Sequence, residues 1–488
     1  MLVISAAPKN YFDYKSAVKK AKKYSADLIE VRIENIDPAV FKKILKDKTI
    51  EKIVTFRKEK VSGAALTRMR ELYSIAFSSG AEYIDIDFSW GKEIIDDLIS
   101  NSRKSKIILS YHDFQRTPRL AELKVILGRM EKIIAHSYKI SVQANKMEDN
   151  ARIFHLLESV QSKKIKLTAH CMGELGKVSR ILGKKYGTYL TYSSIDDETT
   201  TAAGQLPVET IAEYLNYHKL NRKTKVYGII GNPLKQSKSW IFHNYGFSMN
   251  NFNGVYVNFL TDNVQSFAKT FAGLVDGVSI TIPHKEKILS LSKQVSDLVG
   301  SIGSANTALF AHENIIFYNT DYLAAKKFIC ENSYLQNKNV LIIGAGGTAR
   351  AFIFAMKEFN NNVYVTNRTI QKSKQLAQEF DVFLLENIKQ KEVNFDVVVN
   401  ATPGDNEYLL STFKGVLKTG SVKLTMDVAL NPFDSKFILL AERHNCKVIN
   451  GFDFFLEQAL IQFKLFTKSN LSRNQMRKYL LRNFNQSL

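Results

Sequence analysis

Side chains that could carry out chemistry recur through the first half of the chain, most of them where a short apolar run ends. They include acids, arginines, a histidine and a lysine, namely Glu30, Arg32, Arg57, Asp87, His112, Lys139, Arg180 and Gln205. A lysine held among arginines and partly desolvated loses its proton more easily, and it can then form a Schiff base with a ketone. A nearby neutral imidazole can remove the acidified α-proton.

Each of these residues also has a plain structural interpretation. A lone histidine at the end of a strand most often satisfies only local hydrogen bonds. A lysine within "YKISV" could extend its ammonium group to the surface. The chemical interpretation therefore requires a fold that brings these residues together.

Eight short β-rich runs, separated by helix-length segments, supply such a fold. The runs are "LVISA" (2–6), "LIEVRI" (28–33), "KIVTF" (52–56), "YIDIDF" (83–88), "KIILSY" (106–111), "YKISV" (138–142), "IKLTAH" (165–170) and "YLTYS" (189–193). Eight strand–helix units in about 220 residues predict a (β/α)8 barrel over residues 1–221. In a barrel of this kind the carboxyl ends of the strands form the active site.

The strand pattern restarts after a polar basic stretch at 216–225. The runs "VYGII" (226–230), "GVYVNF" (254–259) and "GVSITI" (277–282) predict a small α/β domain over 222–324. C-terminal helices over 456–488 are expected to pack back on the α/β domain.

A glycine-rich loop follows the strand-like run "NVLII" and precedes a helical stretch. It contains Gly344, Ala345, Gly346, Gly347, Thr348 and Ala349. A loop in this context allows the backbone to approach a dinucleotide pyrophosphate at a helix N-terminus.

The following strand, "NVYVT" (362–366), ends in Asn367, Arg368 and Thr369 instead of an acid. An arginine and a hydroxyl suit a 2′-phosphate, so NADP is favoured over NAD. We therefore expect a Rossmann NADP-binding domain over 325–455. The alternative is that Arg368 is merely an exposed residue in a turn.

Composition narrows the class of protein. The chain has 488 residues, a formal net charge of +21 and only three cysteines. The cysteines are too far apart to suggest a disulfide framework or a metal site, which favours a reducing, cytoplasmic location without a metal. The N-terminal segment lacks the basic and apolar regions of a signal peptide, and no apolar run approaches the roughly 20 residues of a membrane span.

The positive charge suits small anionic substrates or nucleic acid. Because the lysines are dispersed and no nucleic-acid-binding signature occurs, nucleic-acid binding is the less favoured alternative. The oligomeric state cannot be predicted.

Several motifs of the first half resemble type I 3-dehydroquinate dehydratase. They are "SYHDFQRTP", "YKISVQANKMEDNARIF", "CMGELGKVSRILGKKYG" and "AAGQLP". The resemblance implies that Lys139 forms an imine, that His112 is the general acid/base and that Arg180 holds the substrate carboxylate. It also implies that five further residues hold and orient the ring: Glu30, Arg32, Arg57, Thr201 and Gln205.

The second half, from about residue 225, resembles shikimate dehydrogenase. The motifs are "GNPLKQSKS", "TIPHKE", "GSANT", "YNTD", "GAGGTARA", "NRT", "NATPG" and "EQALIQF". The resemblance implies that Lys285 and Asp321 form the catalytic pair. It implies substrate contacts from Ser237 and Ser239 to the carboxylate, and from Thr281, Asn306 and Gln458 to the ring hydroxyls.

Five positions depart from the two families. Asp87 stands where a Glu usually orients the histidine, so a longer or water-mediated contact to His112 is expected. Thr201 replaces a usual Ser, Gln236 a His, Ser279 an Asn and Leu430 a Tyr.

Together the resemblances imply a bifunctional enzyme that converts 3-dehydroquinate to 3-dehydroshikimate and then, with NADPH, to shikimate. Two alternatives remain open. Only one half could be active with the other as a scaffold, or the chain could be a nucleic-acid-binding regulator that uses these folds.

Overall fold

The computed structural model describes residues 1–58, 61–102, 104–292, 294–311, 314–386, 393–430 and 435–485. The first half contains an eight-stranded parallel sheet in which each strand pairs with its neighbour along the chain, except that β8 pairs with β1. Its strands are β1 Leu2–Ala6, β2 Leu28–Arg32, β3 Glu51–Thr55, β4 Tyr83–Asp87, β5 Lys106–Asp113, β6 Ser137–Gln143, β7 Leu167–Met172 and β8 Thr191–Ser193. The predicted barrel is confirmed.

Helices separate these strands: α1 Tyr11–Lys23, α2 Pro38–Lys46, α3 Gly63–Ser78, α4 Lys92–Asn101, α5 Leu120–Met130, α6 Asp149–Ser159 and α7 Lys177–Leu182. The ring closes between β7 and β8 without a regular ladder. Instead, Tyr189 N–H donates to the Leu167 carbonyl at 2.8 Å, and Leu190 N–H donates to Thr168 Oγ1 at 3.1 Å.

Alternation along β6 explains how a strand places polar side chains inside the barrel. Ile140 and Val142 are fully buried in the apolar layer shared with the helices. Because successive side chains of a strand point to opposite faces, Lys139 and Ser141 face the barrel interior.

The second half begins with a five-stranded sheet of order β10-β9-β11-β12-β13. Its elements are β9 Lys225–Gly231, α8 Ser239–Met249, β10 Gly254–Leu260, α9 Val264–Phe271, β11 Gly277–Ile280, α10 Asp297–Ile302, β12 Thr307–Ala311 and β13 Asn314–Tyr318. β9, β10 and β11 are parallel, as the α/β pattern predicts. β12 and β13 form an antiparallel hairpin that the sequence analysis did not identify.

A six-stranded parallel sheet of order β16-β15-β14-β17-β18-β19 follows, which is the doubly wound Rossmann arrangement. Its elements are α11 Thr320–Glu331, β14 Asn339–Ile343, α12 Gly347–Lys357, β15 Asn362–Thr366, α13 Ile370–Phe380, β16 Phe383–Leu384, β17 Val397–Asn400, α14 Glu407–Leu417, β18 Leu424–Asp427, α15 Lys436–Arg443 and β19 Lys447–Ile449.

Two C-terminal helices, α16 Gly451–Thr467 and α17 Arg473–Arg482, contact the five-stranded domain. Tyr227 donates its hydroxyl to the Phe466 carbonyl at 3.0 Å, and the rings of Tyr245 and Tyr479 stack. The helix α16 begins before the predicted boundary at 456, because Asn450 caps it by accepting the Asp453 N–H. Likewise, α11 continues across the predicted boundary at 324.

The stretch that joins the two halves is packed, although its composition is polar and basic. Tyr217, Leu220 and Thr224 are buried, and Tyr217 donates its hydroxyl to the carbonyl of Met1 at 3.2 Å. Lys185 Nζ, at the end of the barrel, donates to the Thr224 carbonyl at 2.8 Å. The two halves therefore meet through a structured junction.

Within the described residues, no helix has both the length and the apolar character needed to cross a membrane.

Candidate active sites

Three adjacent barrel strands place their inward side chains on shared levels. The pairing register aligns His112 on β5 with Ser141 on β6, and Ser141 with His170 on β7. One level deeper, the same register aligns Ser110, Lys139 and Thr168. Lys139 and His112 therefore come from neighbouring strands at the centre of one cavity.

Lys139 is 6% exposed, and its nearest charged partners are carboxylates. Its Nζ lies 3.3 Å from Asp85 Oδ2 and 3.8 Å from Glu30 Oε1, and it sits 4.2 Å from the centre of the Tyr192 ring. The prediction that arginines surround this lysine is wrong. Its charged neighbours are two acids that point into the barrel, Glu30 on β2 and Asp85 on β4.

Asp85 connects Lys139 to the rest of the site. Its Oδ1 accepts hydrogen bonds from Arg57 Nη2 at 2.9 Å and from Ser110 Oγ at 2.6 Å. Although burial opposes ionisation, Arg57 and Lys139 hold the pKa of Asp85 well below its usual value. The pKa of Glu30 is lowered in the same way, against burial, by Lys139 and Arg32.

His112 contacts Asp87 directly, with 2.9 Å between Nδ1 and Oδ2. Arg57 Nη1 lies 3.1 Å from the same nitrogen but only 2.6 Å from Asp87 Oδ2, so the carboxylate accepts from both groups. The expectation of a longer or water-mediated contact is wrong, because parallel pairing of β4 with β5 brings the shorter acid within reach. Burial and the charge of Arg57 lower the pKa of His112 to about 4, while Asp87 opposes them.

The carboxyl-end rim of the barrel holds the predicted ring-binding residues. Arg32 donates to the Thr201 carbonyl at 3.3 Å, and Thr201 Oγ1 donates to Ser5 Oγ at 2.7 Å. Ser5 in turn bonds Glu30, while Gln205 Oε1 accepts the Thr201 N–H at 2.9 Å. These contacts link four of the predicted residues into one hydrogen-bonded wall.

The loop that carries Thr201 and Gln205 depends on a glycine between them. Gly204 has φ +75°, and a Cβ there would collide with the carbonyl of Gly173 in the neighbouring loop. The sequence "AAGQLP" thus allows two active-site loops to pack closely.

Arg180 is 3% exposed and has no carboxylate within ion-pair distance in the described parts of the chain. Its Nη2 donates to the Ala203 carbonyl at 3.3 Å, whereas its Nε is buried without a partner. Burial lowers the pKa of Arg180 to about 10. A buried arginine in this condition is suited to an anionic ligand.

The second site lies in a cavity of about 520 Å³ between the five-stranded and six-stranded sheets. Lys285 Nζ donates to Asp321 Oδ2 at 2.5 Å and to Thr348 Oγ1 at 2.8 Å. Thr348 Oγ1 also lies 3.2 Å from Asp321 Oδ2. The predicted catalytic pair is therefore assembled, and a hydroxyl of the glycine-rich loop completes it.

Asn306 fixes the other side of the acid. Its Nδ2 donates to Asp321 Oδ1 at 2.8 Å, and its Oδ1 accepts the Thr320 N–H at 2.7 Å. Thr320 Oγ1 then donates to Gln458 Oε1 at 3.1 Å. Both predicted hydroxyl-binding amides thus lie beside the catalytic pair.

The remaining predicted residues line the same cavity: Ser237, Ser239, Thr281, Gln236, Ser279 and Leu430. Ser279 is held from behind, by Tyr256 at 2.5 Å and by Gln462 Oε1 at 2.6 Å. Leu430, where the family usually has Tyr, lies on the wall of this cavity.

Two positions of the glycine-rich loop require glycine, each for a different steric reason. Gly344 has φ +132°, and a Cβ there would lie 2.7 Å from the Ala401 carbonyl oxygen. A Cβ at Gly347 would lie 2.7 Å from Lys285 Cβ, so this glycine permits approach to the lysine. Gly346 faces open space at the start of α12, where a pyrophosphate could accept backbone N–H groups.

Arg368 is exposed directly after β15 and forms no ion pair within the described ranges. Asn367 Nδ2 donates to the Thr369 carbonyl at 3.1 Å and so closes the turn beneath it. The glycine-rich loop, which leaves space at Gly346, and the guanidinium of Arg368, which has no ion-pair partner among the described residues, together suit a dinucleotide whose adenosine end carries a negative charge.

Family models of known proteins match three successive parts of the chain. The family model for type I 3-dehydroquinase matches residues 3–222, and the shikimate dehydrogenase substrate-binding domain matches 229–308. The shikimate/quinate 5-dehydrogenase model matches 323–432.

Two relatives match nearly the whole chain. The chloroplastic bifunctional 3-dehydroquinate dehydratase/shikimate dehydrogenase of Arabidopsis thaliana is 32% identical over 92% of this chain and 79% of that protein. The chain belongs to the bifunctional 3-dehydroquinate dehydratase/shikimate dehydrogenase family. The shikimate biosynthesis protein AroDE of Chlamydia pneumoniae is 28% identical over 95% of both chains. The solved dehydroquinate dehydratase and shikimate dehydrogenase of S. pombe AroM aligns over 98% of both chains with a TM-score of 0.45 and 22% identity.

Sequence reasoning on this family member missed three residues of the barrel site, namely Ser5, Asp85 and Tyr192. Asp85 was identifiable, because it lies two residues before Asp87 on one strand and so shares its face. Thr348 was assigned only to the cofactor, since its contact with Lys285 crosses between two domains.

Among the residues that the structure describes, no group of three or more His, Cys, Asp or Glu side chains could hold a metal ion.

Proposed function

We propose that this chain dehydrates 3-dehydroquinate in the barrel through Lys139 and His112, and reduces the resulting 3-dehydroshikimate through Lys285 and Asp321. Membership of the family assigns both activities to the chain. The observation that carries the residue assignment is the buried Lys139 beside two carboxylates, one strand away from His112, whose side chain is only 8% exposed.

The dehydration begins when the free amine of Lys139 adds to the substrate ketone and water leaves, which gives an iminium ion. Glu30 and Asp85 stabilise the ammonium before this step and the iminium after it, because both carboxylates stay ionised beside the nitrogen. The iminium acidifies the adjacent carbon.

His112 then removes the α-proton with its unprotonated Nε2, since Nδ1–H is held by Asp87. The C–O bond to the β-hydroxyl breaks, and the hydroxyl takes the proton from His112 and leaves as water. Hydrolysis of the imine releases 3-dehydroshikimate and restores Lys139.

Arg180 binds the substrate carboxylate in this proposal. It is buried, lacks a protein carboxylate among the described residues and carries an unpartnered Nε. The hydrogen-bonded wall of Glu30, Arg32, Thr201 and Gln205, with Arg57, orients the ring hydroxyls.

In the second site, NADPH held by the glycine-rich loop would supply the hydride for the ketone carbon of 3-dehydroshikimate. Lys285 donates a proton to the oxygen as charge develops there, and Asp321 holds the lysine in position. Ser237 and Ser239 bind the carboxylate, and Thr281, Asn306 and Gln458 bind ring hydroxyls.

Gly344, Ala345, Gly346, Gly347, Thr348 and Ala349 form the phosphate-binding loop, and Asn367, Arg368 and Thr369 bind the adenosine end. Relatives over the second half include NADP(+) shikimate dehydrogenases of Maridesulfovibrio salexigens and Sulfolobus acidocaldarius. Both substrates are small carboxylates, so the net charge of +21 favours their approach.

One experiment tests the assignment of both sites. The intact chain is given 3-dehydroquinate and NADPH, and shikimate is expected. Borohydride reduction with 3-dehydroquinate alone should attach the dehydrated substrate to the peptide that contains Lys139. Lys139→Ala should abolish dehydration while reduction of supplied 3-dehydroshikimate continues. Labelling of a different lysine would refute the imine assignment.

A further inference from the structure

A second histidine, His170, lies inside the barrel at the level of His112. It is 7% exposed on β7, and its Nε2 lies 3.2 Å from Ser141 Oγ. The register places Ser141 between the two histidines, directly above Lys139 on the same strand. Adjacent strands are about 4.8 Å apart, so the backbones that carry the two histidines are about 10 Å apart.

The ring of His170 is not needed to balance charge. Its electrostatic neighbours are the cationic side chains of Arg180 and Lys139, together with His112. Burial and these neighbours hold its pKa well below the usual value, so the imidazole stays neutral. An apolar side chain would fill this position without the cost of burying a polar ring.

The proximity of Arg180 indicates which part of a substrate His170 meets. Arg180 lies on α7, the α-helix that follows the strand of His170, and its positive charge helps to lower the pKa of His170. If Arg180 binds the carboxylate of 3-dehydroquinate, the nearby space holds the carbon that bears it. That carbon also bears the hydroxyl that leaves during dehydration.

The hydrogen bond from Ser141 sets the tautomer. When Ser141 Oγ–H donates to Nε2, the single ring proton resides on Nδ1, and no described residue accepts a hydrogen bond from that nitrogen. We propose that His170, oriented by Ser141, donates a hydrogen bond to the departing hydroxyl of the substrate and so acts as a second catalytic histidine.

The step balances with His112 as the only proton carrier. His112 takes the α-proton, the C–O bond breaks, and the proton of His112 completes the water that leaves. His170 keeps its proton throughout and stabilises the negative charge that develops on the oxygen. This inference rests on the proposed dehydration through Lys139.

Three variants test it: His170→Leu removes the donor, His170→Asn keeps an N–H near Nδ1, and Ser141→Ala frees the ring. A hydrogen bond to a charged group is worth about 1.5–3 kcal/mol, so His170→Leu should lower dehydratase turnover about 10- to 100-fold. His170→Asn should recover part of the loss, and Ser141→Ala should lose less than His170→Leu. Reduction of 3-dehydroshikimate serves as the folding control.

Borohydride trapping identifies the step that is affected. In the wild-type chain, the peptide with Lys139 should carry the dehydrated adduct. In His170→Leu the same peptide should carry chiefly the adduct of intact 3-dehydroquinate, which is heavier by one water. The reason is that the imine still forms while the elimination of water is slow.

Unchanged turnover in His170→Leu would overturn the inference. So would loss of any adduct in this variant while reductase activity persists, since His170 would then serve imine formation. Absence of an adduct in the wild-type chain would refute the proposed function and this inference together.

Discussion

Asp87 Oδ2 lies 2.9 Å from His112 Nδ1 and accepts a hydrogen bond from Arg57 on the same oxygen. The carboxylate therefore orients the imidazole and offsets part of the cationic influence of Arg57. This contact is direct although the side chain is one methylene shorter than the glutamate that family members usually have there.

Asp87→Asn should lower dehydratase turnover by at least about 10-fold, because one charge-assisted hydrogen bond that fixes the tautomer of His112 is lost. Steady-state rates on 3-dehydroquinate measure the loss. Asp113→Asn is the matched control, since Asp113 follows His112 but, among the described residues, its side chain accepts hydrogen bonds only from the backbone N–H groups of Gln115 and Arg116. Equal losses in the two variants would contradict a specific role for Asp87.

The pH dependence of the dehydratase should reflect the low pKa of His112. As a general base, His112 must be neutral, and it is neutral above its folded-state pKa of about 4. We therefore expect kcat/KM to show no histidine-dependent decline between pH 7 and pH 5, and to fall as pH approaches 4. Brief assays after a pH jump, with circular dichroism to monitor folding, would measure this. An acid limb near pH 6.5 would mean that an ordinary histidine controls the rate.

Lys285→Ala should lower reductase turnover about 10²- to 10⁴-fold, the usual contribution of general acid catalysis, with a smaller effect on affinity. Asp321→Asn should also be severe, and the double variant should lose less than the product of the two effects. With 3-dehydroquinate and NADPH supplied together, 3-dehydroshikimate should accumulate. A change confined to the Michaelis constant would identify Lys285 as a binding residue only.

Thr348→Val should lower reductase turnover about 10-fold or more, because its hydroxyl accepts from Lys285 at 2.8 Å and bonds Asp321. Thr348→Ser keeps the hydroxyl and is the matched control. Wild-type turnover in Thr348→Val would show that the hydroxyl has no role, and a loss in Thr348→Ser as large as that in Thr348→Val would contradict a specific role for the hydroxyl.

Arg368→Ala should raise the Michaelis constant for NADPH about 10- to 100-fold and leave that for NADH nearly unchanged, since a guanidinium strengthens binding only where a phosphate is present. Arg443→Ala, at the exposed end of α15, is the control for loss of a surface charge. Equal losses for both cofactors would show that Arg368 supports the turn instead.

The strands of both halves could be predicted because parallel strands covered on two faces are continuous apolar runs. The positions of Lys139 and His112 followed from the rule that barrel sites lie at carboxyl ends. Their electrostatic surroundings did not follow, since the partners of Lys139 depend on which acids of β2 and β4 face inward. The shared level of His112, Ser141 and His170 could not be predicted, because it depends on the pairing register of the strands, which a single sequence does not specify.

Boundaries were harder to predict than strands. The start of α16 at Gly451 carries a local signal, an Asn followed three residues later by an Asp, which the predicted boundary at 456 did not take into account. The hairpin of β12 and β13 lacked the strand–helix alternation by which the rest of the second half was recognised.

The packed junction between the halves has a consequence for the amount of active protein in a cell. Tyr217 closes over the first residue of the barrel, and Lys185 holds the backbone at Thr224, where the second half begins. The stability of the folded chain determines how much of it escapes degradation in a cell. A substitution that disrupts this junction would therefore reduce both activities together. The ratio of the two activities would stay constant, so such a variant would resemble lowered expression and not a damaged enzyme.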